Sequence, residues 1–117
     1  MKHESLEVYR KSYELALSLY KFSTTLPADE KYGLTSQIKR ASLSVPLNIA
    51  EGYGKQSSKA EFNRFLSMAK GSCSEVHVLL DFLKDLGYLE DEHCEKYKER
   101  YVEVEKMLYS LINGAKE

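Results

Sequence analysis

This sequence predicts an all-α fold: an antiparallel up-down-up-down four-helix bundle whose second helix is kinked by a proline. Three observations carry the expectation. Apolar residues recur at spacings of three and four in four separate stretches, as they must when one face of a helix is buried. The links between the stretches are short and hold Pro27, Gly52, Gly54 and Gly87, and short links join neighbouring helices that run in opposite directions. The chain has 117 residues, enough for one domain to bury a core without disulfides or metal.

The first helix is expected over residues 5–26, with Pro27 as its stop. Glu7, Arg10, Lys11, Glu14, Ser18 and Lys21 share a polar arc, leaving two apolar strips. One is Val8, Leu15, Leu19, Phe22 and Leu26. The other is Leu6, Tyr9, Tyr13, Ala16, Leu17 and Tyr20. A surface helix of a monomer needs only one such strip, so the second either packs on another helix of the bundle or meets another copy.

The second helix is expected over residues 35–53. Leu34, Ile38, Ala41, Val45 and Ile49 form its core strip, and Leu43, Leu47 and Ala50 form another on the far side. Between them runs a polar line, Gln37, Arg40, Ser44, Asn48 and Glu51, which must find hydrogen-bond partners where it is part-buried. Pro46 cannot donate to the Ser42 carbonyl and its ring presses on it, so the helix should bend there rather than end. Gly52 and Gly54 are expected to stop it.

Ser58-Lys59-Ala60-Glu61 reads as a capping box opening the third helix. Phe62, Phe65, Leu66, Ala69, Cys73, Val76, Leu79, Leu80, Leu83 and Leu86 continue a stripe toward Gly87, a C-cap, over about 40 Å. The small residues of AKGSCS near its middle permit close approach of a neighbouring backbone. Asp91 is the expected N-cap of the fourth helix, in which Cys94, Tyr97, Tyr101, Val104, Leu108 and Leu111 repeat until Gly114.

Composition excludes several functions. At 43% hydrophobic and 30% charged, the chain reads as a soluble globular protein, and no apolar run approaches the roughly 20 residues of a membrane span. The charged start MKHESLEVYRK lacks a signal sequence, so a cytoplasmic protein is expected. Cys73 and Cys94 have neither CxxC nor zinc-finger spacing and read as buried apolar thiols. GYGKQSS fails as a phosphate loop, with Ile49 where the first glycine belongs and Gln56 where Ser or Thr is required. Only Glu90-Asp91-Glu92-His93 matches the ExxH element of a di-metal bundle, so no metal or other cofactor is expected. His77 lies on an outer polar line and reads as solvated. Glu51, Glu61 and Glu75 read as capping residues or as ion-pair partners for Arg40 and Arg64 rather than general acids, and no catalysis is expected.

Charge is uneven beneath a net −1. Residues 31–70 carry +5, and residues 71–117 carry −5. Lys39, Arg40, Lys55, Lys59, Arg64 and Lys70 fall in the positive segment and are the candidate nucleic-acid contacts, because phosphate binding needs little more than clustered cations.

Residues 26–76, above all LTSQIKRASLSVPLNIAEG and KAEFNRFLSMAKGSCSEV, resemble the four-helix-bundle family of 23S ribosomal RNA intervening sequence proteins. The family's pattern is met by Gln37, Arg40 and Ala41; by Asn48, Ile49, Ala50, Glu51 and Gly52; and by Glu61, Phe62, Phe65, Leu66, Ala69, Gly71 and Ser72. Lys39 and Lys55 stand where arginine is common, and Ser42 where alanine is frequent. The resemblance implies a four-helix protomer that assembles into a homopentamer without enzymatic activity. It also implies kinship with the accessory variability protein of diversity-generating retroelements, a bundle that binds nucleic acid and a reverse transcriptase. The expected function is therefore a non-catalytic homo-oligomer that contacts RNA or DNA through the positive segment. Leu6, Tyr9, Tyr13, Leu17, Tyr20, Leu43 and Leu47 are its candidate interface. The alternative is a scaffold that holds a different protein through the tyrosine-rich strip of the first helix.

Overall fold

The structure is a computed structural model that describes residues 6–114. Four helices follow one another: α1 (Glu7–Ser23), α2 (Leu34–Gly54), α3 (Lys59–Asp85) and α4 (Asp91–Ile112), with one short 3-10 turn at Ala28–Glu30. Each helix packs on its two neighbours in the cycle α1, α2, α3, α4, and among the described residues the diagonal pairs bring no Cα atoms within 8 Å of each other. The α2–α3 seam is the most extensive and the α1–α4 seam the thinnest. The partners across three seams run in opposite order. Arg40 and Ser44 meet Glu75 and Ser72; His77 and Asp81 meet Glu105 and Lys98; Lys11 and Ser18 meet Glu103 and Tyr97.

The core stripes read from the sequence converge at the centre. Val8 and Leu19 of α1, Ile38, Ala41, Val45 and Ile49 of α2, Leu66, Cys73, Val76, Leu80 and Leu83 of α3, and Cys94, Tyr101, Val104 and Leu108 of α4 are fully buried. Cys94 Sγ lies 3.6 Å from the Leu80 carbonyl oxygen. Both thiols are free and buried, and burial pushes the Cys73 thiol up to about 12, which leaves it unreactive at neutral pH.

Several boundaries differ from expectation. Ser5, the expected first residue of α1, lies outside the described residues. The helix ends at Ser23, ahead of Pro27, where the backbone tightens: the Thr24, Thr25 and Leu26 N–H groups bond the carbonyls of Lys21, Phe22 and Ser23, and the Ser23, Thr24 and Thr25 hydroxyls donate to the carbonyls of Tyr20, Lys21 and Phe22 at 2.6–2.7 Å. Pro46 sits inside α2 without ending it. Gly52 and Gly54 do not stop α2 either; both lie within it, and Lys55 follows as the C-cap. Gly52 serves close packing, since a Cβ there would lie 3.3 Å from Phe65 Cβ and 3.4 Å from Leu66 Cδ2. In α4 the N-cap is Glu90, without a side-chain bond, and Asp91 is the first helical residue. Leu86 falls past the last turn of α3 and is 55% exposed rather than part of the core stripe.

Two helix-end signals hold at least in part. Ser58 Oγ accepts from the Glu61 N–H at 3.2 Å and starts α3, but the reciprocal half of the capping box is not made, since the Ser58 N–H bonds the Lys55 carbonyl and the Glu61 carboxylate turns to Arg64. Gly87, at φ +82°, closes α3, with the Tyr88 N–H on the Leu83 carbonyl at 2.9 Å and the Gly87 N–H on Lys84 at 3.0 Å.

The fully buried Tyr101 hydroxyl has no hydrogen-bond partner among the described residues, and burial raises its pKa. Burying a hydroxyl without a protein partner opposes folding, so Tyr101→Phe should leave stability unchanged or raise it by about 1 kcal/mol. Thermal melts of the two proteins check this; a clear loss in the variant would mean the hydroxyl is satisfied in solution.

Candidate functional site

The polar line of α2 is mostly consumed by structure. Arg40 Nη2 donates to Gln37 Oε1 at 3.0 Å and to Glu75 Oε2 at 2.5 Å, so the line is tied to α3. Ser44 Oγ lies 2.8 Å from the Ala41 carbonyl oxygen and 2.5 Å from Ser72 Oγ. A hydroxyl has one proton, so Ser44 donates to the carbonyl and accepts from Ser72. Asn48 Nδ2 donates to the Ser44 carbonyl at 2.8 Å. Glu51 is exposed and makes no such contact among the described residues. These are the bonds that a part-buried polar seam between two apolar strips requires.

The six candidate nucleic-acid contacts do not form one patch. Lys39 turns toward α1, its Nζ 4.4 Å from the Tyr20 ring centroid. Arg40 is engaged by Glu75. Arg64 pairs with Glu61 at 2.8 Å and lies over the Phe65 ring. Its hydrogen bond holds the Glu61 carboxyl below its ordinary range, and the carboxylate raises Arg64 in turn. Lys70 faces α4, 5.2 Å from the Tyr109 centroid. Lys55 and Lys59 are exposed around the α2–α3 link, with Lys55 close enough to the Arg64-paired Glu61 to favour its charged form. Neighbours in sequence thus spread over several sides of α2 and α3.

The apolar candidates are better gathered. Tyr13, Leu17, Tyr20, Leu43 and Leu47 are all substantially exposed, Leu47 at 62%. Tyr13, Ala16, Leu17, Tyr20, Leu43 and Pro46 line one cleft of about 230 Å³ between α1 and α2. Leu6 is a correction: it is 2% exposed and belongs to the protomer core, where the chain enters α1. Tyr9 is also half-buried against that core.

A second exposed apolar strip was missed. Met68, Val78 and Phe82 lie on one side of α3, with Leu86 just beyond, and all are 45–56% exposed. With Gly71 and Glu75 they repeat at spacings of three and four, a signal hidden by the stronger core stripe of the same helix. His77 also departs from its solvated reading. It is half-buried, its Nε2 3.3 Å from Glu105 Oε1 and its ring edge-on to Tyr101. The ion-pair reading of Glu61 and Glu75 holds. Among the described residues no cluster of His, Cys, Asp and Glu is placed to hold a metal, and no helix is long and apolar enough to cross a membrane.

These features define an all-α four-helix protein with exposed apolar faces. The chain belongs to the 23S rRNA-intervening sequence protein family, whose sequence model matches residues 4–110. It is similar to a crystal structure of a protein of unknown function from the S23 ribosomal protein family of Bacteroides thetaiotaomicron. The identity is 29%, the TM-score 0.83, and the match covers 97% of this chain and 99% of that one. No curated protein matches the chain.

Proposed function

We propose that this protein is a non-catalytic, cytoplasmic homo-oligomer that holds RNA or another nucleic acid on basic residues repeated around the assembly. The carrying observation is the contiguous exposed face of Tyr13, Leu17, Tyr20, Leu43 and Leu47. Apolar surface on two helices at once is what a subunit contact removes from water. The strip on α3 is a different surface, and a contact between unlike patches closes into a ring when its rotation permits. A pentamer is the ring size that the family resemblance implies. The family's name points to ribosomal RNA. Lys55, Lys59 and Arg64 are too few to hold a strand alone, but several copies act together.

One observation favours a second reading, a protein scaffold without nucleic acid: Arg40 and Arg64 are both occupied by carboxylates. Sedimentation and RNA titration separate the two. The proposal expects a concentration-stable oligomer whose RNA affinity falls steeply with salt and drops about tenfold or more in Lys55→Glu/Lys59→Glu. A monomer at micromolar concentration would refute the assembly, and an oligomer indifferent to RNA would leave the scaffold.

A further inference from the structure

We infer that the cleft between the second half of α1 and the first half of α4 binds one nucleotide, with its base on an apolar floor and its phosphate on Arg100 and Lys96. The inference deepens the nucleic-acid reading, on which it rests for the source of the ligand: an unstacked nucleotide of single-stranded RNA.

The cleft measures about 240 Å³. Its floor is apolar, formed by half-buried Phe22 and by Leu89, which is 6% exposed. Tyr97 forms part of the wall, and its hydroxyl shares a 2.6 Å hydrogen bond with Ser18 Oγ, which fixes the ring across the seam. A flat apolar ring fits such a floor and wall, and stacking on an aromatic side chain tolerates any base. His93, Lys96 and Arg100 line the same cleft. They stand at spacings of three and four along α4, spanning about 10 Å of its axis. No acid lines this cleft.

The cations are also available. Arg100 and His93 make no hydrogen bond or ion pair among the described residues, and Lys96 has only a solvent-exposed pairing with Glu92 at 3.5 Å. An unpaired guanidinium beside an ammonium is suited to the oxygens of a phosphate. Ser18 and Arg100 continue into a larger groove of about 460 Å³ along the same seam, lined also by Lys11, Glu14 and Glu103. There Lys11 is held by Glu103 at 2.8 Å, and Glu14 adds a negative charge. The two cations and two acids of that groove leave it no net charge to draw in a continuing backbone, so recognition centres on the single nucleotide in the cleft. The three basic groups lie in the half of the chain that is negative overall, so counting charge along the sequence hides them.

Calorimetric titration of the full chain with adenosine 5′-monophosphate tests the site, with adenosine and ribose 5-phosphate as the halves of the ligand. A single-stranded RNA octamer carrying 2-aminopurine reports the base in its polymeric source. The monophosphate should bind about tenfold or more tightly than either half, and Arg100→Ala should weaken it about tenfold or more. Arg100→Gln, which keeps much of the stem, should lose the same amount with an unchanged melting temperature, while Lys55→Ala should have no effect on the monophosphate. Octamer binding that is insensitive to both Arg100 variants would overturn the cleft but leave the proposed function standing. Monophosphate binding that depends on Arg100 in a protein indifferent to RNA would keep the cleft, with a free mononucleotide as its source, and sink the proposed function. Equal affinity for the monophosphate and ribose 5-phosphate would overturn the inference outright.

Discussion

Aspartate at both Leu17 and Leu47 is expected to break the assembly into monomers. The two leucines are 46% and 62% exposed on the protomer, so neither is needed for the core. If they are buried between copies, each loses roughly 1.5–3 kcal/mol of apolar burial on substitution, and the carboxylate adds a desolvation penalty. The combined loss of roughly 3–6 kcal/mol weakens association at least about a hundredfold. Sedimentation velocity across a concentration series should show one slow species for Leu17→Asp/Leu47→Asp and a faster one for the parent. Far-UV circular dichroism should be the same for both. The melting temperature of the variant should fall only by what subunit binding contributed. Equal sedimentation of the two proteins would place the contact elsewhere, with the Val78 and Phe82 strip as the next candidate.

Leucine at Gly52 is expected to cause the largest loss of fold stability among single substitutions on α2. A Cβ at this position already meets Phe65 Cβ at 3.3 Å, Leu66 Cδ2 at 3.4 Å and the Phe62 carbonyl oxygen at 3.4 Å. Further carbons have nowhere to go unless α2 and α3 separate, and these helices share the most extensive seam of the bundle. Overpacking of this kind costs about 2–3 kcal/mol, or a fall of about 10 °C in melting temperature. Gly54→Ala is the control, because a Cβ there meets nothing within 4 Å. It should gain about 0.5 kcal/mol from restricting the unfolded chain. If Gly52→Leu melted like the parent, the close approach of α2 and α3 would not exist in solution.

Much of the fold was readable because burial imposes a period. Ile38, Ala41, Val45 and Ile49 of the α2 strip and Cys94, Tyr101, Val104 and Leu108 of the α4 strip are fully buried as their spacing required, while Leu34 and Tyr97 of the same strips are half-buried. Caps were readable where one residue type supplies the geometry, as Ser58 and Gly87 do. The end of α1 was less legible, because the tightening of its last turn after Ser23 is a local backbone event that leaves no period in the sequence. Gly52 was misread because a glycine looks the same whether it ends a helix or admits a neighbour; only the position of Phe65 distinguishes the two.

The candidate surfaces were less legible, for a different reason. Charge counted along the chain ignores which side of a helix a residue occupies, so Lys39 and Lys70 appeared to be companions although they face α1 and α4. It also ignores partners, and Arg40 was already committed to Glu75, 35 positions away. The outer face of α1 and α2 survived the same test because its members share a helical period as well as a chemistry. Leu6 left it, drawn inward with the first turn, and Tyr9 is half-buried against the core beside it.

The thin α1–α4 seam has a consequence for how the molecule comes together and comes apart. Its Ser18–Tyr97 bond joins residues 79 positions apart, and its Lys11–Glu103 ion pair closes a still longer loop. Closing a long loop costs more chain entropy than closing the short ones between successive helices, and here the fewest contacts repay it. The hairpin of α2 and α3 is therefore the natural nucleus, and α1 docks onto α4 late. In the folded protein the α1–α4 seam has the least to hold it, and the proposed nucleotide cleft runs along it, so nucleotide binding is expected to brace the weakest junction of the bundle.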